Sequence, residues 1–517
     1  MPVEISGDRL FEGCEITGLT DAYYTGVSSD SRRIKNGNLF ICHRGLHRDG
    51  AEFAAEAIAR GASRVLAERP IDGIPPEKTL ITADTRLSEA FIWRNLFGDP
   101  AKNMKTVAVT GTAGKTSVVF LLRHIMSAAG AKVGMISTVK TLAGDEEISL
   151  GESGGSSVSD IFGAMTTPDP EYFFSSVAKM AEKGCDTLIY EASSQGILYK
   201  KTAAVHNDIA VYTNLSPEHL DCHGDMENYF AAKAELMKTS DCAVINADDG
   251  FISRIHDMYP SKKVMRCTVN SGTKAEAYAA DFKSHAADGI EYLFISDDAV
   301  FRVRSPMIGM TAVYNTLEAA LTALLLGADP MTVRDSLRFY GGADGRMTRV
   351  LTGSRSLDSR LDITVFIDYA HTPEALRALL ISAREIARRT TVLFGCGGDR
   401  DRSKRPEMAR IAQEYADRVI VTSDNPRSED PMKIIDEILE GADGGTKPEV
   451  IPDRREAIAY AIETAESGEA VLLCGKGHEK YEILADGKHS FDEYETARKA
   501  LEKRSAETGG RENECKT

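Results

Sequence analysis

The segment Val109-Thr110-Gly111-Thr112-Ala113-Gly114-Lys115-Thr116-Ser117 joins an apolar run to a helix-like stretch. Glycines at 111 and 114 let backbone N–H groups approach an anion closely, and the positive end of a helix adds to their pull. In that setting the Lys115 ammonium neutralises β- and γ-phosphates while the Thr116 hydroxyl holds magnesium. The strict phosphate-loop pattern asks for glycine at 109, where valine stands. A bare GKT or GKS also arises by chance, so the strand, loop and helix setting carries the reading.

Downstream lie Glu191, at the end of an apolar run, and Asn214-Leu215-Ser216-Pro217-Glu218-His219-Leu220-Asp221, followed by Tyr229 and Lys233. Taken singly, these are an ordinary strand-end carboxylate, a surface or capping histidine and a solvated helical lysine. Beside a phosphate loop, Glu191 and His219 offer hard oxygen and imidazole ligands for divalent ions that bridge phosphates. Nearer the C-terminus, polar or glycine-rich loops follow four apolar runs at once: Asp368-Tyr369-Ala370-His371, Gly395 to Arg400, Ser423 to Arg427 and Gly475 to Glu479. In open α/β sheets ligands sit at the carboxyl ends of strands, which predicts one shared site for the four loops.

The elements that must carry these residues are legible from periodicity. Residues 1 to about 100 mix short strands (Leu39 to Cys42, Arg64 to Ala67) with an Ala-rich helical stretch from Ala51 to Arg60. A strand at Thr106 to Thr110 leads into a helix with Val118, Leu121, Leu122, Ile125 and Met126 on one face, stopped by Gly130. Strands follow at Thr187 to Tyr190, Ile209 to Thr213 and Ala243 to Asn246, with a helix predicted over Met226 to Lys238. Gly151 to Ser159 reads as an exposed loop. Beyond Gly345, strands at Ile363 to Ile367, Thr391 to Phe394, Val419 to Thr422 and Val471 to Cys474 alternate with helices, which implies a parallel sheet.

Composition agrees with a globular α/β chain. The 517 residues carry a formal net charge of −16, with 42% hydrophobic and 27% charged residues, and their number suggests about three domains. An acidic surface repels nucleic-acid backbones and anionic membranes, so neither is expected as a partner. No apolar run approaches the length of a membrane span and the start of the chain lacks a signal-like stretch, which predicts a cytoplasmic protein. Nine scattered cysteines without a CxxC pair suggest neither disulfides nor a zinc site.

Taken jointly, Gly111-Thr-Ala-Gly-Lys-Thr, Thr166-Thr167-Pro168, Glu191-Ala-Ser-Ser, His219-Leu-Asp, Tyr314-Asn315, Gly345-Arg346-Met347, Asp368-Tyr-Ala-His, Gly395-Cys-Gly-Gly-Asp-Arg and Gly475-Lys-Gly-His-Glu resemble the Mur ligase family nearly end to end, and within it the tripeptide-synthetase branch. These are the ATP-dependent enzymes that build the peptide stem of peptidoglycan. The resemblance implies an α/β, three-domain architecture: a UDP-sugar domain over 1–100, a central P-loop ATPase domain over 101–344 and a Rossmann-like amino-acid domain over 345–504; the tail over 505–517 reads as disordered from its composition. It implies ATP and magnesium, a UDP-N-acetylmuramoyl-dipeptide substrate and a monomer.

By the same resemblance, Gly111 to Ser117 (with Ala113 where the family usually has Asn), Asn315, Arg346 and Asp368 contact ATP. Ser31, Thr166, Thr167, Ser193 and Lys201 hold the muramoyl-dipeptide. Lys115, Glu191, His219 and Lys233 are catalytic, and Thr116, Glu191, His219 and a carbamylated Lys233 are metal ligands. Arg400, Asp424, Asn425, Pro426, Arg427, Gly475 and Glu479 take the incoming amino acid. Asp424-Asn425-Pro426-Arg427 looks like the signature of members that add meso-diaminopimelate rather than L-lysine. Arg427 can grip the extra carboxylate through two parallel hydrogen bonds, with Glu479 available for the ammonium. Lysine would then leave Arg427 buried and unpaired. The sequence departs from the family at Gln195, Tyr199 and Lys201, where His, Gln and Arg are usual. Beside the same ligase using L-lysine, the competing readings are a folylpolyglutamate synthetase-like ligase and a nucleotide-binding regulator. The N-terminal domain argues against the first, and Glu191, His219 and Lys233 against the second.

Overall fold

A computed structural model describes residues 4–18, 21–45, 48–148, 166–343, 345–359 and 361–514. The segment 151–159, expected as an exposed loop, lies outside them. The chain forms two compact bodies, one from 1–266 with 325–327 and the other from 267–324 with 328–517.

Besides a two-stranded antiparallel pair, Ile5–Ser6 with Tyr23–Tyr24, the first body contains two larger sheets among the described residues. One has the strand order Ile16–Thr17, Thr79–Thr82, Arg64–Ala67, Asn38–Ile41 and Gly26–Ser28, parallel except for the first strand. The helical stretch expected from Ala51 is a 3-10 turn, Gly50–Phe53, followed by an α-helix, Ala54–Ala59. Ser31 sits in a second 3-10 turn, Ser31–Arg33, whose entry is capped by the Asp30 carboxylate accepting from Arg32 N.

In the other sheet of this body, the parallel strands run in the order Val133–Ile136, Thr187–Glu191, Lys105–Thr110, Asn207–Tyr212 and Ser240–Asn246. Their sequences are near-continuous apolar runs because helices cover both faces. Lys105–Thr110 comes first in the chain and lies between later strands, so the connections leave it in opposite directions. Such a switch point opens a crevice at the carboxyl ends. The helix Lys115–Ala128 packs here through Val118, Val119, Leu121, Leu122, Ile125 and Met126, each contributing roughly 1.5–3 kcal/mol by burial. Met226–Ala234 is α-helical and continues as the 3-10 turn Glu235–Thr239, which ends one residue past the stretch predicted as one helix.

The second body opens with an antiparallel ladder of Ala277–Ser284, Ile290–Ser296 and Val300–Ser305, unforeseen from sequence. Its main sheet runs Thr348–Arg349, Thr364–Asp368, Glu469–Cys474, Arg389–Phe394, Arg418–Val421 and Glu449–Val450, parallel apart from the first strand. The four predicted strands are present within two residues at each end. Helices Pro373–Arg384, Lys404–Tyr415 and Pro431–Leu439 supply Leu376, Leu380, Met408, Ile411, Ile434 and Ile438 to one core, and Arg454–Thr464 adds Ile458 and Ile462 to another. The last helix, Glu493–Glu514, occupies most of the segment expected as a disordered tail. Residues 515–517 lie outside the described chain. No helix among the described residues is long and apolar enough to cross a membrane.

Candidate active site

Gly111 and Gly114 hold the loop between Lys105–Thr110 and Lys115–Ala128 at φ 144° and 87°, in the left-handed half of backbone space that side chains avoid. A Cβ on Gly111 would also collide with the Thr213 hydroxyl. Asn214 reads the loop on both sides: its Oδ1 accepts from Ala113 N at 2.9 Å and its Nδ2 donates to Ala113 O at 3.0 Å. The Thr213 hydroxyl donates to the same carbonyl at 2.6 Å. Lys115 Nζ folds onto its own loop, donating to Gly111 O at 2.8 Å and Thr112 O at 2.7 Å.

Lys233 reaches the same place from Met226–Ala234. Its Nζ donates to Gly111 O at 2.9 Å, so two amines share one carbonyl. It also stands 4.8 Å from the centre of the Tyr229 ring. The side chain is fully buried, and an ammonium there would lose its hydration. That burial pushes its pKa well down, the neighbouring Lys115 charge pushes the same way, and Glu218 opposes them.

Glu191 ends its strand with a buried carboxylate that gathers three donors. Thr116 Oγ1 donates to Oε1 at 2.9 Å, Thr138 N to Oε1 at 3.0 Å, and Thr138 Oγ1 approaches Oε2 at 3.1 Å. Thr116 and Glu191 thus bring two hard oxygen ligands together beside the phosphate loop, a donor set that fits magnesium with phosphates and water completing its shell. His219 does not join them. It is a left-handed residue, φ 56°, opening the short helix Leu220–His223, with an exposed ring 3.9 Å from Glu218 Oε1. Among the described residues no group of three His, Cys, Asp or Glu side chains is placed to hold a metal ion.

Thr138 also donates to Thr166 Oγ1 at 3.0 Å. Thr167 Oγ1 donates to Glu191 O at 2.9 Å, accepts from Ser193 N at 2.8 Å and lies 3.0 Å from Ser193 Oγ. Ser193 caps the helix Ser194–Leu198 by accepting from Gly196 N. Lys201 is buried against Asp169 at 2.9 Å and donates to Thr167 O at 3.2 Å. Tyr199 stacks under Arg86, whose guanidinium is 4.5 Å from the ring centre. Gln195 Nε2 donates to the sulfur of Cys222, an exposed residue, at 3.1 Å. Ser31 stands apart from this group, its hydroxyl donating to Glu56 Oε2 at 3.1 Å.

In the second body the loops at the carboxyl ends of the main sheet converge as predicted from their positions. Asn425 is the hub. Its Nδ2 donates to Glu479 Oε2 at 2.8 Å, and its Oδ1 accepts from Lys476 Nζ at 2.9 Å and Ile483 N at 3.0 Å. Lys476 is fully buried, 3.2 Å from Asp424 Oδ1. Burial pushes the Glu479 pKa up, as does the Asp424 charge, against the Asn425 hydrogen bond. Gly475 N donates to Asp368 O at 3.1 Å. Pro426 is buried, while Arg400 is exposed on the neighbouring loop.

Arg427, expected to be left buried and unpaired when lysine is bound, has a protein partner of its own. It is half-buried, and Nη1 already donates to Gly398 O at 2.7 Å. Asp368 accepts from Met347 N and Ala370 N, both at 2.8 Å. Burial pushes its pKa up and Arg346 opposes this; the Arg346 guanidinium lies 5.2 Å from the Tyr369 ring centre. Asn315 is buried within the helix Met310–Leu325. Sequence reasoning passed over Thr138, Asn214 and Lys476. Asn214 and Lys476 stood inside quoted motifs, whereas Thr138 carries no motif of its own.

Three family models match in chain order: the Mur ligase family catalytic domain over 23–86, the Mur ligase middle domain over 109–323, and the Mur ligase glutamate ligase domain over 345–477. The UDP-N-acetylmuramoyl-L-alanyl-D-glutamate–2,6-diaminopimelate ligase of Syntrophomonas wolfei subsp. wolfei is 37% identical over 492 residues, covering 94% of this chain and 96% of that protein. The ligase of the same name from Clostridioides difficile (strain 630) is 36% identical, with 92% and 95% covered. A solved structure of a ligase of that name superposes with a TM-score of 0.69 at 30% identity, covering 97% of this chain and 99% of the other. With its strand order, phosphate loop and end-to-end likeness to these enzymes, the chain belongs to the Mur ligase family and has its three-domain, mixed α/β fold.

Proposed function

We propose that this protein is a cytoplasmic, ATP-dependent amide ligase. It adds meso-diaminopimelate to the D-Glu side-chain carboxylate of UDP-N-acetylmuramoyl-L-alanyl-D-glutamate, releasing ADP and phosphate. The observation that carries this reading is the Asp424–Arg427 loop, bonded through Asn425 to Glu479, in a chain of this family. An amine cannot displace oxide from a carboxylate, so one oxygen must first become a leaving group. ATP phosphorylates the carboxylate, the amine attacks the acyl phosphate, and inorganic phosphate departs. Domain roles follow: UDP-sugar binding within 1–100, ATP within 101–344 and the amino acid within 345–504.

In this mechanism the N–H groups of the 111–117 loop hold the phosphates and the Lys115 ammonium meets the charge that accumulates on the transferred phosphoryl group. Thr116 and Glu191 are the residues that would hold magnesium, which supplies positive charge to the phosphate oxygens when bound. Thr166, Thr167 and Ser193 present hydroxyls to the dipeptide. Lys201, already neutralised by Asp169, contributes less to it than the usual arginine, because its charge is shared and it lacks a bidentate fork. Phosphate release, measured with UDP-muramoyl-dipeptide, ATP and a panel of amino acids, tests the proposal. Release with diaminopimelate well above that with L-lysine supports it; equal use of lysine would replace the substrate assignment, and release with a folate in place of the sugar nucleotide would replace the function.

Lys233 is proposed to be carbamylated. Burial and the neighbouring Lys115 charge favour its neutral amine, the form that adds carbon dioxide, losing a proton as the N–C bond forms. The product carboxylate would set a negative charge beside the Lys115 ammonium and offer a further oxygen ligand. Carbon-13 NMR of protein in labelled bicarbonate should show a carbamate resonance that Lys233→Ala lacks, and that variant should lose most ligation. Full activity of Lys233→Ala, or no resonance in the wild type, counts against modification.

A further inference from the structure

The loops 395–400 and 424–429 are fastened to each other by an exchange of carboxylates. Glu429 Oε1, from the second loop, accepts from Asp399 N of the first at 2.6 Å. Asp399 returns the contact, accepting from Ser428 N at 3.1 Å and Ser428 Oγ at 2.7 Å. Gly398 N donates to Asn425 O at 2.9 Å, and a Cβ on Gly398 would strike the Pro426 carbonyl, so the two sides of this seam lie as close as backbones can.

Beneath the seam lies Arg405, from Lys404–Tyr415, fully buried. Its Nη1 bonds to Glu429 Oε2 at 3.1 Å and Glu437 Oε2 at 2.6 Å, and its Nη2 bonds to Glu429 Oε1 at 3.0 Å and Gly397 O at 3.1 Å. Arg402 closes the other side of Glu429 at 2.7 Å. One carboxylate therefore meets two guanidinium groups and a backbone N–H, two residues along the chain from Arg427. Arg427 Nη1 itself rests on Gly398 O, the carbonyl carried by the opposite loop.

We infer that Glu429, seated on Arg405, is a positioning residue for the amino-acid substrate: it fixes the spacing of the two loops and so aims the Arg427 guanidinium. The inference rests on the proposed function, since it assigns Arg427 to the distal carboxylate of diaminopimelate. Fixing both loops before binding removes an ordering penalty that would otherwise weaken affinity for that substrate alone.

The experiment measures kcat and KM for all three substrates in the wild type, Glu429→Gln, Arg405→Lys and the double variant, with Ser428→Ala as a milder probe of the same seam. The wild type is first run on the amino-acid panel, and KM is then followed for whichever amino acid it uses, so a wrong substrate assignment is seen separately from a wrong positioning role. Glu429→Gln should raise KM for the amino acid at least tenfold, with kcat within threefold and KM for ATP and the sugar nucleotide within twofold. Preference over lysine should fall by a similar factor. The double variant should be no worse than the poorer single one, because both break one clamp. Ser428→Ala should raise the same KM about threefold, and decides the matter if Glu429→Gln does not fold. Unchanged amino-acid KM, or three KM values rising in parallel, would overturn the inference.

Discussion

Replacing Lys115 by alanine is expected to abolish ligation while leaving the fold in place. Its Nζ bonds to carbonyls of its own loop, Gly111 O and Thr112 O. Those bonds lie at the partly exposed edge of the site, and their loss should move the melting temperature by a few degrees at most. In the proposed mechanism the same ammonium faces charge that develops as the phosphoryl group transfers, an interaction made more strongly in the transition state than before it. A loss of at least ~10³-fold in kcat, about 4 kcal/mol, is the expected size. Circular dichroism and thermal melting establish the fold, and phosphate release gives the rate. Turnover within tenfold of the wild type would remove the loop from the chemistry.

Arg427→Ala should collapse the preference for meso-diaminopimelate over L-lysine. The two substrates differ by one carboxylate at the far end, and a guanidinium is the group suited to hold it through parallel hydrogen bonds. Because Nη1 is already engaged by Gly398 O, Arg427 is not stranded when lysine binds. The discrimination therefore comes mostly from hydrogen bonds that diaminopimelate alone can make, and about 10²-fold in kcat/KM, ~3 kcal/mol, should be lost. Lysine turnover should change little. Arg427 also sits at φ 54°, a conformation that an L-residue adopts at a cost of about 1 kcal/mol, held by its N–H donating to Ile483 O at 3.0 Å. Arg427→Gly should consequently match Arg427→Ala in selectivity yet melt no lower. Selectivity retained in both variants would move recognition of the second carboxylate elsewhere.

The strands that carry chemistry were readable because they are buried on both faces: Val107, Ala108 and Val109, or Leu472 and Leu473, form runs without polar interruption. The ladder 277–305 escaped because it is half-covered. Ile290, Tyr292 and Phe294 alternate with partly exposed Glu291, Leu293 and Ile295, and no continuous run marks the strand. The gathering of Glu191 with Thr116 comes from Thr187–Glu191 lying beside Lys105–Thr110, the strand whose loop leads into the helix that carries Thr116 in its first turn. Thr138 could not be foreseen, since its role depends on Val133–Ile136 lying beside Thr187–Glu191, a pairing set by topology. Likewise the glycine loop 395–400 was legible as a motif, whereas its carboxylate clamp required knowing that Arg405 points inward rather than to solvent.

The placing of Cys222 has a practical consequence for spectroscopy. Of the eight cysteines described, Cys222 alone is exposed; Cys14 is half-covered and the other six are buried. Thiol-directed dyes react with accessible thiolates, so in a chain with Cys515 changed to serine they should attach at Cys222 first. Its sulfur touches Gln195, on the helix that Ser193 caps and that leads to Lys201. A fluorophore there would sit against the helix next to the hydroxyl cluster of Thr166, Thr167 and Ser193, and its emission should register the sugar-nucleotide binding proposed for that cluster, in real time and without turnover.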